Sequence, residues 1–234
     1  MRRSLYYFVC PLGQIWRWNV EKLLRFWKVF NHRKIVSIVT GPGLEKPETV
    51  MECFNDSSVE FFEAPNDPAL GETKYFLEGL SKLRPASKDE VTFYGHTKGV
   101  SHQGDTLRHV LCWTDAMYVL NLSSPELVDS IMSRYLAMGC YRQKMPHGGS
   151  DWHYSGTFFW FRNHELFSRD WEQIQKVRHG VEGYLGKHFK EDETFELTPF
   201  ISHWQLYRYP PGEEIYTKWL KELIQKEVAG GKKN

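Results

Sequence analysis

At 234 residues, with 41% hydrophobic and 25% charged residues, the chain has the size and composition of one globular domain with a substantial core, and two independent domains would be cramped. Its 30 basic and 29 acidic residues leave a formal net charge of +1, which excludes a global field drawing it to nucleic acid or an anionic membrane, so any anion site must be local. No run approaches the roughly 20 apolar residues of a transmembrane helix, and the reading is a soluble cytoplasmic protein.

Leu5 to Val9 is an aromatic and β-branched run that stops at Pro11-Leu12-Gly13. It is too short, and lacks the small-residue cleavage site, for a signal peptide, and reads as a first strand. Trp16, Val20, Leu23, Leu24, Trp27 and Phe30 follow at helical spacing, with Trp16 expected in the core. Lys34 to Thr40 is an apolar run closed by Gly41-Pro42-Gly43, as in a buried parallel strand. A helix from Lys46 to Phe54, a strand from Val59 to Ala64, a turn at Asn66-Asp67-Pro68, a helix from Glu72 to Leu83 and a strand from Val91 to Tyr94 continue the alternation. Strand and helix alternating four times within about a hundred residues predict βαβ crossovers and a mostly parallel sheet flanked by helices.

The second half predicts helices over Thr106 to Leu120 and Ser124 to Gly139, the second opened by Ser-Ser-Pro-Glu as a capped start. A polar glycine loop at Pro146 to Asp151 precedes a predicted strand from Ser155 to Arg162, with short helices over Glu165 to Asp170 and Val181 to Leu185. Residues 1–225 read as one domain and 226–234 as a frayed tail. The four cysteines show no C-x-x-C pair and read as reduced, mostly buried thiols.

Two stretches carry chemistry. Val91 to Gly99 delivers His96, Thr97 and Lys98 from a buried strand into a glycine-flanked loop, where an imidazole and an ammonium can donate to a diphosphate. Asp105 or Thr106 is placed to cap the helix that follows. Trp152, His153, Tyr154, Ser155 and Gly156 supply a ring face, polar groups and a close-approach glycine suited to a sugar, while Phe158 to Phe161 look like core. Asp151 and Glu182 are the carboxylates nearest such a site and are the candidate general bases. Pro11, Leu12 and Gly13 after the first strand, and Asn66 and Asp67 after the third, are candidate nucleotide contacts. His96, His102 and His109 as zinc ligands form a rival reading at a spacing that matches no metal motif.

The strand order, the His96-Thr97-Lys98-Gly99 loop and the stretch from Ser155 to Arg162 together resemble GT-A-type glycosyltransferases, especially bacterial and viral polysaccharide-type members, over roughly residues 4–208. The resemblance implies a Rossmann-like α/β fold. It also implies transfer of a sugar from a nucleotide-sugar donor, lying across the carboxyl ends of the first strands, to a glycan or other hydroxyl acceptor. It puts His96-Thr97-Lys98 where such enzymes carry the Asp-x-Asp that holds a divalent metal. No Asp-x-Asp occurs in this chain. Lys98, with His96 if protonated and Arg162, is then expected to replace the metal as counter-charge to the leaving diphosphate, so that no metal or other cofactor is predicted. Two other readings stand beside it: a non-catalytic glycan- or nucleotide-binding module on the same fold, and a phosphotransferase or metal-dependent hydrolase using the histidines.

Overall fold

A computed structural model describes residues 1–199 and 212–229. Its centre is a seven-stranded sheet in the order β3-β2-β1-β4-β8-β5-β9. The first four strands are β1 (Arg2–Val9), β2 (Lys34–Thr40), β3 (Val59–Pro65) and β4 (Glu90–His96), all mutually parallel. β5 (Ala137–Gly139) and β9 (Thr194–Glu196) are parallel to each other, while β8 (Phe159–Arg162) runs antiparallel between β4 and β5. The hairpin strands β6 (Arg142–Gln143) and β7 (His153–Tyr154) form a separate small sheet. The predicted α/β class and mostly parallel sheet are therefore what the chain adopts.

Side chains alternate between the two faces of the sheet, and each face is covered, which is why the strands read as continuous apolar runs. Leu5, Tyr7 and Val9 of β1, with Val36, Ile38 and Phe93, pack beneath α1 (Ile15–Arg25), α4 (Gly104–Leu122), α5 (Pro125–Met132) and α8 (Glu213–Ile224). Tyr6 and Phe8, with Ile35, Val39 and Tyr94, meet α3 (Phe76–Ser81), α6 (Asn163–Phe167) and α7 (Gly180–His188) on the other face. The remaining helix, α2 (Pro47–Met51), buries Val50 in the first layer. Trp16 is fully buried, and Phe158 to Phe161 divide between the two layers, as expected of core residues.

Several boundaries differ from the sequence reading. The helix expected to run to Gly139 stops at Met132, because Ala137–Gly139 is drawn into the sheet beside β8; tertiary pairing overrides helical propensity there. Its cap is as predicted, with Leu127 N–H donating to Ser124 Oγ at 3.1 Å. α4 starts earlier than expected, after Gln103, and encloses Asp105 and Thr106 rather than being capped by either. The helix expected from Glu72 divides into a 3-10 turn, Gly71–Lys74, and α3. Of the tail, Gln225–Ala229 continues α8 as a π-helical turn, with Glu227 buried and paired to Arg134 beside α5. Residues 200–211 and 230–234 of the predicted domain and tail lie outside the described residues. All four cysteines are free, but only Cys140 is fully buried and Cys112 is exposed.

This topology fixes the site. The chain moves outward from β1 through β2 to β3, then returns to place β4 on the other side of β1. A parallel sheet whose order reverses in this way opens a crevice beyond the carboxyl ends of the two strands at the reversal. The loops at that crevice are residues 10–14 after β1 and 97–103 after β4.

Candidate functional site

The two loops are clipped together by Thr97, whose backbone N–H donates to the Phe8 carbonyl at 3.0 Å and whose Oγ1 accepts from Cys10 N–H at 2.9 Å. Thr97 is buried and acts as a strap between strand ends, not as the substrate contact expected of it. Lys98, next in the chain, is held by its backbone. Asn19 on α1 donates from Nδ2 to the Lys98 carbonyl at 2.9 Å and accepts the Lys98 N–H on Oδ1 at 3.2 Å. Tyr118 of α4 donates to the same Oδ1 at 3.1 Å and is joined at 2.6 Å to the hydroxyl of Tyr7. The Lys98 ammonium extends over the Trp113 ring, 5.2 Å from its centroid. Among the described residues no carboxylate closes an ion pair with it, although the side chain is half-buried.

His96 is positioned differently from its expected role as an anion donor. Its Nε2 lies 3.1 Å from the Gly156 carbonyl, an acceptor, so that nitrogen carries the hydrogen, and its Nδ1 faces Glu72 Oε2 at 3.5 Å. Glu72 is fixed in turn by the Tyr94 hydroxyl, which donates to the same oxygen at 2.7 Å. Burial pulls the His96 pKa below its ordinary value, against the attraction of Glu72 and with the repulsion of Lys98. Both ring nitrogens face acceptors of the protein itself, the Gly156 carbonyl and the Glu72 carboxylate, so the ring is turned onto the turn at Gly156 and not towards a leaving diphosphate, which corrects that expectation.

The turn from Ser155 to Phe158 explains how the second stretch reaches the crevice. Because β8 is antiparallel to β4, with Tyr94 opposite Phe159 and Val91 opposite Arg162, the residues before Phe159 arrive at the carboxyl end of β4. Arg162 is carried about 16 Å the other way, five residues of strand from the level of His96. There Arg162 pairs with Glu165 and donates to the carbonyls of Met132 and Lys88, so it takes no part in the crevice. Ser155 to Phe158 is not strand: Gly156 and Thr157 have φ of 91° and 64°, and a Cβ on Gly156 would stand 2.4 Å from the Trp113 ring.

The expected sugar platform is interior. Trp152 is 5% exposed, packs in the second core layer and donates from its indole to the Phe189 carbonyl at 3.2 Å. Tyr154 is buried with its hydroxyl on the Phe195 carbonyl at 2.7 Å. His153 and Ser155 are buried beside one another, His153 Nε2 and Ser155 Oγ being 3.4 Å apart. Alternation in a two-sided sheet layer, not stacking on a ligand, accounts for this aromatic run.

Glu182 stands at the heart of the cluster. α7 carries glycine at 180, 183 and 186, and a Cβ at Gly183 or Gly186 would lie 2.4 Å from the His147 carbonyl or 2.0 Å from the Trp152 carbonyl. The glycines therefore let the loop 146–152 lie backbone against helix. Between them, Glu182 Oε1 accepts the Gly156 N–H at 2.7 Å, Oε2 accepts from His147 Nε2 at 2.8 Å, and His179 Nδ1 is 3.7 Å from Oε2. The His147 ring lies tilted against His153 and His179, with centroids 4.6 and 5.0 Å away. Burial alone raises the Glu182 pKa, but the His147 hydrogen bond, the Lys98 charge and the Gly156 N–H together hold it well below the ordinary carboxylate range. His147 is raised, chiefly by its bond to Glu182, and His179 is lowered by burial.

Other candidates fall around this centre. Leu12 and Gly13 are exposed at the crevice, with Pro11 buried beneath them. Asn66 is exposed at the end of β3, whereas Asp67 uses Oδ1 to accept the N–H groups of Ala69 and Leu70 at 3.0 and 3.1 Å, the chemistry of a turn. Asp151 is exposed on the rim of an open depression of about 360 Å³ that it shares with His147 and Gln175. Among the described residues, the histidines within metal-ligand distance of a third ligand are His147 and His179, with Glu182, and not His96, His102 and His109.

No protein-family model matches the chain, and no curated protein matches it. Among solved structures, a 4-diphosphocytidyl-2C-methyl-D-erythritol synthase is similar at 10% identity with a TM-score of 0.43, covering 94% of this chain and 98% of that one. An enzyme described in the same terms from Anaerococcus prevotii DSM 20548 gives 9% identity and 0.40 over 94% and 96%. The 2-C-methyl-D-erythritol 4-phosphate cytidylyltransferase of Francisella tularensis gives 12% and 0.32 over 70% and 75%. Likeness at this level concerns the general layout of the chain and assigns no reaction. No described helix is long and apolar enough to cross a membrane.

Asn19, Glu72, His147 and His179 lie outside the residues that the sequence pattern marks as chemistry. Asn19 carried a signal: it sits within the apolar stripe of Trp16, Val20 and Leu23 and is itself fully buried, and a polar group at a core position must find partners.

Proposed function

We propose that the chain is a glycosyltransferase that moves a sugar from a nucleotide-sugar donor to an acceptor hydroxyl in the crevice beyond β1 and β4. One observation carries the reading: Lys98 is a half-buried ammonium at the topological reversal of a parallel sheet, its backbone fixed by Asn19, with no carboxylate at ion-pair distance among the described residues although Glu182 feels its charge. Holding a cation there costs desolvation that a bound anion offsets. Leu12 and Gly13 border the same opening.

In the reaction the acceptor oxygen bonds to the anomeric carbon as the bond from that carbon to the diphosphate oxygen breaks, and negative charge grows on the diphosphate. Lys98, its backbone held by Asn19, meets that charge with a cation already at the crevice. Asp151 is the carboxylate free to take the acceptor proton, being exposed on the rim and without an ion pair among the described residues. Glu182 is already committed to Gly156 and His147, and a carboxylate held so far below its ordinary range is a weak proton acceptor.

Calorimetric titration with nucleoside diphosphates tests the reading. One nucleoside diphosphate should bind the wild-type chain and lose at least about tenfold in affinity in Lys98→Ala, on the scale of a charge-assisted hydrogen bond. Equal affinity in both proteins rejects the role of Lys98. Binding without turnover of the matching nucleotide sugar identifies a non-catalytic module.

A further inference from the structure

A histidine of one loop meets a histidine and a glutamate that stand three residues apart at the start of α7. His147 belongs to the loop after β6, His179 immediately precedes α7 and Glu182 lies in its first turn. One ligand atom from each lies within 4.8 Å of the others. His147 Nε2 and His179 Nδ1 approach the same carboxylate oxygen, Oε2 of Glu182, at 2.8 and 3.7 Å. For an ion with bonds of about 2.0–2.1 Å, tetrahedral ligand atoms stand about 3.3 Å apart, and the two distances bracket that spacing.

We propose that His147, His179 and Glu182 bind one divalent transition-metal ion of the zinc class, with the remaining coordination position open to the crevice. Imidazole nitrogens with one carboxylate select zinc and its neighbours over magnesium or calcium, which prefer all-oxygen sets. The supports expected of a metal site are in place. The second oxygen of Glu182 is fixed by the Gly156 N–H at 2.7 Å, the His153 ring lies against that of His147, and the glycines of α7 set the loop against the helix. Exposure of 32% at His147 and 59% at His179 gives an ion a route in from solvent.

Where the sequence predicted no metal, the geometry points to one, and the site stands on ligand geometry whether or not the crevice takes a nucleotide. The test uses the full chain stripped with chelator, zinc competition against a chromophoric chelator, and cobalt(II) absorption in the visible. One zinc per chain is expected, together with the intense bands of four- or five-coordinate cobalt. His179→Ala should weaken zinc by at least about 100-fold, since loss of a ligand exceeds the 10–100-fold of a supporting contact. It should melt normally without metal, because its side chain is 59% exposed. His147→Ala should do the same to zinc. No bound zinc, or zinc affinity unchanged in both variants, overturns the site. The diphosphate titration is read in chelator, so a metal-free chain that binds nucleotide sinks only the metal site, and a zinc-binding chain without nucleotide affinity sinks only the transferase reading.

Discussion

His96 and Glu182 hold the same glycine by its two backbone groups. The Gly156 carbonyl accepts from His96 at 3.1 Å and its N–H donates to Glu182 at 2.7 Å. Two residues that the sequence marks as chemistry, one at the end of β4 and one on α7, thus fix the turn that joins β7 to β8. The crevice owes its shape to that turn, which brings the end of the parallel sheet, the long helix α4 through Trp113, and α7 to one point.

Gly156→Ala should be strongly destabilising for two additive reasons. Its φ of 91° is hostile to any side chain, and the new methyl carbon would lie 2.4 Å from Trp113 Cζ3. Overpacking of a full core costs about 1–3 kcal/mol and left-handed backbone a further 1–2 kcal/mol or so. Urea unfolding should show a loss of about 2–5 kcal/mol with an unchanged slope. A loss under about 0.5 kcal/mol, the scale of a neutral surface change, would mean that the turn is not pinned as described.

The His147 and Glu182 pair should give a characteristic pH response. His147 has a raised pKa in the folded chain, so its contribution is complete below the unfolded histidine value of about 6.5 and is lost as pH rises through the folded value. Glu182 has a lowered pKa, so its contribution is complete above about 4.5 and is lost as pH falls through the folded value. Their joint stabilisation is therefore greatest between about pH 4.5 and 6.5. The stability difference between wild type and Glu182→Gln should peak in that window and shrink above it. In NMR titration His147 should protonate above the ordinary value in wild type and fall back towards it in the variant, while His96 stays neutral to below the ordinary value in both. A His147 that titrates identically in the two proteins removes Glu182 as its partner.

The alternation of short apolar runs and amphipathic stretches gave the sheet, its parallel half and the location of its crevice, because βαβ order leaves few arrangements. Lys34 to Thr40 is a strand to the residue. What local pattern does not contain is the direction of a strand in the sheet. β8 runs antiparallel, and this one reversal sends Arg162 away from the crevice and brings Gly156 to it. Nor does composition separate a ring that stacks on a sugar from a ring in a core, so Trp152 and Tyr154 read as site and are interior. The gathering of His147, His179 and Glu182 depends on a loop lying against the glycines of α7, a contact across more than thirty residues that no spacing motif records.

Trp152→Ala tests the interior assignment directly. Loss of a buried indole of 5% exposure should cost about 3–5 kcal/mol, whereas an indole stacking on a bound sugar from the surface would leave stability almost untouched. Trp152→Phe should recover most of the loss, giving up the hydrogen bond to Phe189, about 1 kcal/mol. Thermal melting of both variants, followed by ligand titration of the folded fraction, separates the cases: a stable Trp152→Ala chain with weakened glycan binding would restore the sugar platform.

Asn19 should control ligand affinity without touching a ligand. Its amide ties both backbone groups of Lys98 to α1 and receives the Tyr118 hydroxyl. Leucine fills a similar volume but leaves these groups unpaired in a buried place, at about 1–3 kcal/mol for each one that finds no water. Asn19→Leu is therefore expected to destabilise the chain and release the loop 97–103, with nucleoside diphosphate affinity falling nearly as far as in Lys98→Ala. Tyr118→Phe keeps the amide on Lys98 but leaves the buried Tyr7 hydroxyl without its partner, so it should cost about 1–3 kcal/mol of stability and leave affinity within a factor of about two. The contrast discriminates position from packing. Were both variants to lose stability while keeping full affinity, Lys98 would not need its backbone clamp, and the fixed placement of its ammonium would lose its support as the basis of anion binding.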